Sequence, residues 1–361
     1  MKKLISALFV PLALSSGAFA AGSVSFDQKG DLPALSSGIR SDAMAPAAYI
    51  PRAAAVKEAP GFCIFNGGSG APLGGEDAFK AVVRGADAVF AGETHDQAKD
   101  HLAQLEALKA LGEARGEKIV VGFEMLNMTL QPVLDDYASG KITEEEFLQK
   151  ADWKNEWGFD FNLYKPLFDF IRAGKLKALA LNLPKKVVSK IARVGLDGLS
   201  PEERQYLPAE VAITKNEAYI KYIRQSYEGH GKSNSGRTDG ADAVPANKQD
   251  AGKEKKGMGD FTFENYLAAM CAWNESMGSR LADFINANPG YAGITIAGAG
   301  HVIYNAGIPA SVAARTSGLH PVSFYPSDAV TCPEAMPAGD AGLADYVWYI
   351  SHPAPAAGKT K

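Results

Sequence analysis

Two histidines and two carboxylates stand where short apolar runs end. The segment GETHD, Gly92 to Asp96, directly follows ADAVFA, Ala86 to Ala91. Glu124 closes the run KIVVGFE from Lys118, and GAGH, Gly298 to His301, closes GITIAG from Gly293. Glu93, His95, Glu124 and His301 together have the chemistry of an active centre. His95, Glu124 and His301 are a ligand set for a divalent transition metal. They are equally an acid–base set for hydrolysis, with glutamate as general base and histidine stabilising or shuttling charge. The competing structural reading has His95 capping the next helix or bonding a backbone carbonyl, with Glu93 and Asp96 favouring that helix N-terminus.

A second group is aromatic. WKNEWGFDFNLYKP, Trp153 to Pro166, contains Trp157 and Tyr164, and Trp273 and Met277 add a further soft apolar surface. Most such residues serve as core. A flat hydrophobic cofactor also needs such a surface, and tyrosine is an accepted axial ligand of haem iron. On chemistry alone Tyr164, Tyr137 and Tyr304 are candidate ligands, and Arg172, Lys165 and Arg315 are candidate partners for propionates.

The elements that must position these groups follow from periodicity. Apolar runs at Asp87–Ala91, Lys118–Glu124, Leu176–Asn182 and Gly293–Gly298 read as buried strands, and Val322–Tyr325 as the last one. Between them lie helical patterns. Leu102, Leu105, Leu108 and Leu111 form a stripe, and Thr129–Ala138 carries Pro132 in its first turn. TEEE at Thr143 is a capping box, SPEE at Ser200 a cap followed by proline, and Leu163–Ala173 is helical. From Phe261 to Asn288 a broad face carries Tyr266, Met270, Trp273, Met277, Leu281 and Phe284. Strand and helix alternate as in βαβ units, which predicts an α/β fold with a mostly parallel sheet covered on both faces. Sites in such sheets form outside the carboxyl ends of the strands, so the three polar exits are expected at one edge.

The flanks differ. MKK, the apolar run Leu4–Leu14 and AFA before Ala21 read as a signal peptide over 1–20, cleaved after Ala20. A periplasmic or secreted location is expected, and with no cysteine at the cleavage site no lipid anchor is. Residues 21–60 are rich in Ala, Ser, Pro and Gly and read as a flexible arm. The expected domain covers 61–332, interrupted at 228–259 by a polar, aperiodic stretch read as a disordered insertion. Residues 333–361 read as a tail. The 361-residue chain has a formal charge of −4, and no dense basic run offers a nucleic-acid surface. Cys63, Cys271 and Cys332 allow one bridge plus one buried thiol, or three buried thiols.

Taken in order, GETHD at Gly92, GFEM at Gly122, the aromatic segment Trp153–Pro166, ALNLP at Ala180, AGAGH at Ala297 and GIP at Gly307 resemble the ChaN-like haem-binding proteins. That family is grouped with Tiki-type proteases and erythromycin esterases. The resemblance covers roughly 60–225 and 261–330 and implies a three-layer α/β/α fold. It also implies haem bound through Tyr164 and a role in iron uptake; Trp157, Arg172, Trp273 and Met277 are the further residues expected to contact the cofactor on their own chemistry. A homodimer enclosing haem and contact with haem-uptake machinery at the outer membrane are part of the same expectation. The protease relatives carry over a metal-dependent hydrolase role to His95, Glu124 and His301.

Overall fold

The computed structural model describes residues 61–232, 262–327 and 332–351. The leader, the arm and most of the 228–259 insertion lie outside these residues. Eight strands form one sheet: β1 (Gly61–Asn66), β2 (Pro72–Gly74), β3 (Ala88–Glu93), β4 (Ile119–Asn127), β5 (Lys177–Asn182), β6 (Ala292–Gly298), β7 (Pro321–Ser327) and β8 (Tyr346–Ser351). Their order is β2-β1-β8-β7-β3-β6-β4-β5. From β8 to β5 every pairing is parallel, and β1 and β2 pair antiparallel at the other flank.

Helices cover both faces, as the alternation of strand and helix requires. α1 (Glu76–Gly85), α2 (Ala98–Arg115), α3 (Gln131–Ala138), α4 (Glu144–Lys150), α5 (Trp153–Glu156) and α6 (Phe161–Gly174) pack on one face. α7 (Lys185–Val194), α9 (Glu217–Lys232), α10 (Phe263–Ala287) and α11 (Ile308–Ala313) pack on the other, with the short α8 (Pro201–Arg204) between α7 and α9. The strands sort their side chains by alternation. In β3, Val89 and Ala91 enter the first core, and Ala88 and Phe90 enter the second. This is the three-layer α/β/α architecture with a mostly parallel sheet that the sequence predicts.

Local chemistry sets the element ends. Thr143 and Glu146 form the reciprocal capping box of α4, and Ser200 and Glu203 that of α8. The free edge of β5 is closed by side chains. Gln131 donates to Ala178 O and accepts from Ala180 N, both at 2.9 Å, and Arg280 Nε donates to Ala180 O at 3.0 Å. An edge strand so occupied offers fewer backbone groups to another chain.

Two sequence boundaries are corrected. The tail read over 333–361 contains β8, which inserts between β1 and β7. YVWYIS has strong strand composition, but it is one short run set among Ala, Gly and Pro, and its partner β1 lies at the other end of the chain. α9 also runs to Lys232, past the expected start of the insertion. Cys63 and Cys332 are bridged, with Cα atoms 5.6 Å apart, while Cys271 is a buried free thiol, the first of the two alternatives. No helix among the described residues is long and apolar enough to cross a membrane.

Candidate functional site at the carboxyl edge

The three polar exits meet. β6 lies between β3 and β4, so the ends of β3, β6 and β4 are consecutive along the carboxyl edge. Close packing there demands glycine. A Cβ on Gly92 would stand 3.0 Å from Phe324 O, and one on Gly307 would overlap His301 O at 2.1 Å. These positions let the loops after β3 and β6 converge.

The same alternation that builds two cores splits the site in two. Glu93 continues the Val89–Ala91 side of β3 and meets α2 and α6. Its carboxylate is fully buried and accepts from Tyr164 Oη at 2.7 Å and Gln104 Nε2 at 2.8 Å. His95 Nδ1 lies 2.8 Å from Oε1, and His101 Nδ1 lies 3.4 Å from Oε2. Gln104 Nε2 also donates to Ala91 O at 3.1 Å, which fixes its amide so that Oε1 faces His101 Nδ1 at 3.2 Å. His101 Nε2 faces His95 O at 3.1 Å. Both ring nitrogens of His101 therefore face acceptors, an arrangement that only an imidazolium satisfies.

The electrostatics agree. Burial alone would raise the Glu93 carboxyl, but the charge of His101 and the bonds from His101 and His95 hold it well below the usual range. Burial likewise opposes the His101 charge, and Glu93 overrides it and raises the imidazole. Burial and the neighbouring Glu93 charge push the Tyr164 phenol well above 10, so it stays a protonated donor. Asp100, in the first turn of α2, accepts from Thr94 N at 2.8 Å and ties the loop to the helix.

Glu124 points to the opposite face, toward α10. Its Oε2 accepts from Gly298 N at 2.6 Å, and Oε1 lies 3.4 Å from His301 Nε2. Burial would raise this carboxyl too; His301, His95 and the Gly298 amide hold it low. His301 Nδ1 lies 2.7 Å from Asn274 Oδ1, while Asn274 Nδ2 donates to the Tyr219 hydroxyl at 2.7 Å. Trp273 packs on His301 with ring centres 4.7 Å apart, as Trp157 packs on His95 at the same separation.

Other expected groups are placed elsewhere. Among the described residues no three His, Cys, Asp or Glu side chains are gathered to hold a metal ion. The set His95, Glu124 and His301 reaches one edge, but His95 is anchored with Glu93 on one face and Glu124 with His301 on the other. Tyr164 is fully buried, and its hydroxyl donates to Glu93. Trp157 lies on the α6 face and Trp273 and Met277 on the α10 face, so they do not enclose one flat pocket. Arg172 sits over the Tyr137 ring at 4.8 Å. Lys165 pairs with Glu144 and Asp169, and Arg315 with Glu275. His95 does not cap α2, whose N-cap is Gln97.

His101, Gln104 and Asn274 were not singled out as functional by the sequence, yet a signal existed. His101 and Gln104 fall in step with Leu108 and Leu111, and Asn274 with Met270, Met277 and Leu281, so each is polar on a core stripe.

The layers and the paired exits define a three-layer α/β/α protein whose candidate site combines two histidine–carboxylate pairs at the edge of a parallel sheet. The chain belongs to the family described as haem-binding uptake, Tiki superfamily, ChaN, whose model matches residues 80–312. Among solved structures it is similar to ChaN of Campylobacter jejuni with cofacially bound haem. That match has 18% identity and a TM-score of 0.56, covering 81% of this chain and 98% of that one. An erythromycin esterase mutant, EreC in its open conformation, matches at 14% identity and a TM-score of 0.41, over 76% of this chain and 78% of that one. The type III effector HopBA1 matches at 9% and 0.42, over 80% and 95%. The ChaN likeness shows the fold; the other two carry no argument about chemistry. No curated protein matches the sequence significantly.

Proposed function

We propose that the carboxyl edge is an acid–base centre that hydrolyses an ester or amide. The observation that carries this reading is the pair of buried histidine–carboxylate contacts, His95–Glu93 at 2.8 Å and His301–Glu124 at 3.4 Å, on consecutive strand exits. Glu93 holds His95 by Nδ1, which gives Nε2 the part of general base. His95 takes the proton of a water molecule, the oxygen adds to the carbonyl carbon, and the leaving oxygen or nitrogen recovers the proton. His301, set by Asn274 through Nδ1, orients the Glu124 carboxylate on the α10 side of the same edge. The three-residue metal set is not gathered as expected, so no step is assigned to a metal. The leader-like first twenty residues and the Cys63–Cys332 bridge support export to an oxidising compartment.

The test is a panel of chromogenic esters and peptides, run with chelator and with added manganese, cobalt or zinc. Wild type is expected to turn over at least one of them and His95→Asn to lose about a hundredfold or more. A His95→Asn protein as active as wild type, or no hydrolysis in any condition, sinks the reading.

A second reading, haem binding, is favoured by the family match over residues 80–312. It predicts a saturable Soret shift on haemin titration, with a homodimer in the loaded state by sedimentation. A shift lost in Tyr164→Phe would identify Tyr164 as the ligand. An unchanged shift would place the ligand elsewhere, and no shift removes the reading.

A further inference from the structure

We infer that the protein has a second ligand site, away from the Glu93–Glu124 edge, that takes a small amphipathic ammonium ion. A cavity of about 580 Å³ opens where α11, the start of β7 and the start of β8 meet the β1–β2 turn. It falls in the size range of pockets for small organic molecules. Phe90, Val322, Pro309 and Ala310 give it an apolar lining.

Asp345 and Asn305 supply the polar side. Asp345 Oδ1 accepts from Asn305 Nδ2 at 2.8 Å, and Oδ2 accepts from Ser323 N at 3.0 Å and Ser323 Oγ at 3.1 Å. All of these donors are neutral, and no cation pairs with Asp345 among the described residues. His320 also lines the cavity, but its Nδ1 is turned to Gly85 O at 3.0 Å. Through Nδ2, Asn305 orients the Asp345 carboxylate beside the apolar wall of the cavity.

The backbone holds this pair in place. Tyr304 and Asn305 are consecutive left-handed residues, with φ of 59° and 54°. Asparagine tolerates that region, but a bulky residue such as tyrosine seldom occupies it. Tyr304 N is bonded to Leu343 O at 2.6 Å, which joins this turn to the segment entering β8. A strained pair pinned to a second segment presents its side chains in a fixed direction.

The complement of a carboxylate with only neutral partners, set beside an apolar wall, is a cationic group that carries N–H donors. A primary ammonium supplies both, and its carbon body would lie on Phe90, Val322 and Pro309. Carboxylates and phosphates are disfavoured by Asp345. Failure of this site would leave the hydrolytic reading untouched, because no residue is shared.

Calorimetric titration of the full chain with phenethylammonium chloride tests the inference, with 2-phenylethanol as the uncharged control of similar shape. The ammonium is expected to bind saturably and the alcohol at least about tenfold more weakly, and Asp345→Asn is expected to weaken the ammonium by about tenfold to a hundredfold. Ala310→Trp, which crowds the cavity without touching the Asp345 bonds, is expected to abolish binding and decides the matter if Asp345→Asn fails to fold. Equal binding of the alcohol, wild-type affinity in either variant, or no saturable binding by wild type overturns the proposal.

Discussion

Glu93 and Glu124 are the same residue type, both buried, both near a histidine and two strands apart in the sheet. Their surroundings differ in kind. Glu93 collects side-chain contacts from His95, His101, Gln104 and Tyr164, three of them on the covering helices α2 and α6. Glu124 accepts from one backbone amide and faces His301, with the charge of His95 acting on it from the other face. The first carboxylate is matched by a buried imidazolium within its own layer. The second is matched at the strand ends themselves, so fewer groups depend on it. A buried charge is tolerated where its compensation is complete, and the completeness differs between the two faces.

The largest effect expected from breaking this contrast comes from Glu93→Gln. It removes the anion that balances His101 and places an amide N–H among donors. Loss of about 3–5 kcal/mol of stability is expected in urea unfolding. A loss below about 1 kcal/mol would show that His101 is not a buried cation.

The pH dependence sharpens the contrast next. Burial raises the Asp100 carboxyl from 3.8 to about 6. A folded value above the unfolded one means the fold binds the extra proton. This contribution is therefore complete below the unfolded value and is lost as pH rises from about 4 to 6, by roughly 3 kcal/mol. Glu93 and Glu124 act oppositely. Their folded values are depressed, so their contribution is present above the unfolded carboxylate range and lost as pH falls through the depressed values. Unfolding free energies of wild type and Asp100→Asn between pH 4 and 7 should differ in slope, with the falling component absent from the variant. Parallel curves would show that Asp100 does not titrate there.

Tyr164→Phe removes one donor from the Glu93 cluster and leaves the ring packing. About 1.5–3 kcal/mol of lost stability is expected, read by the same unfolding assay. Glu124→Gln should cost least, about 1 kcal/mol, because its amide oxygen still accepts from Gly298 N. If Glu124→Gln proved as costly as Glu93→Gln, the asymmetry between the two faces would be refuted.

Much of this was legible in the residues. GETHD, KIVVGFE and GAGH each ended an apolar run, and a parallel sheet brings such ends to one edge. The caps at Thr143 and Ser200 were readable because their bonding is local. β8 was not, since its pairing with β1 spans most of the chain and its link to β7 runs through Ala, Gly and Pro. Tyr164 was legible as a special tyrosine, but its meeting with Glu93 joins residues 71 apart. Nothing in the local pattern distinguishes a phenol that binds iron from one that serves a carboxylate.

The sequence by itself determined the alternation of strand and helix, the polar exits and the residues that could do chemistry. Those depend on periodicity and local hydrogen bonding, which neighbouring residues settle between them. Only the tertiary structure decided that β6 stands between β3 and β4, and that Glu93 and Glu124 face opposite layers. It also decided which helix donates to each carboxylate. The reason is that buried charge is compensated by whatever the packing brings within a few ångströms, and strand order, not chain order, decides that.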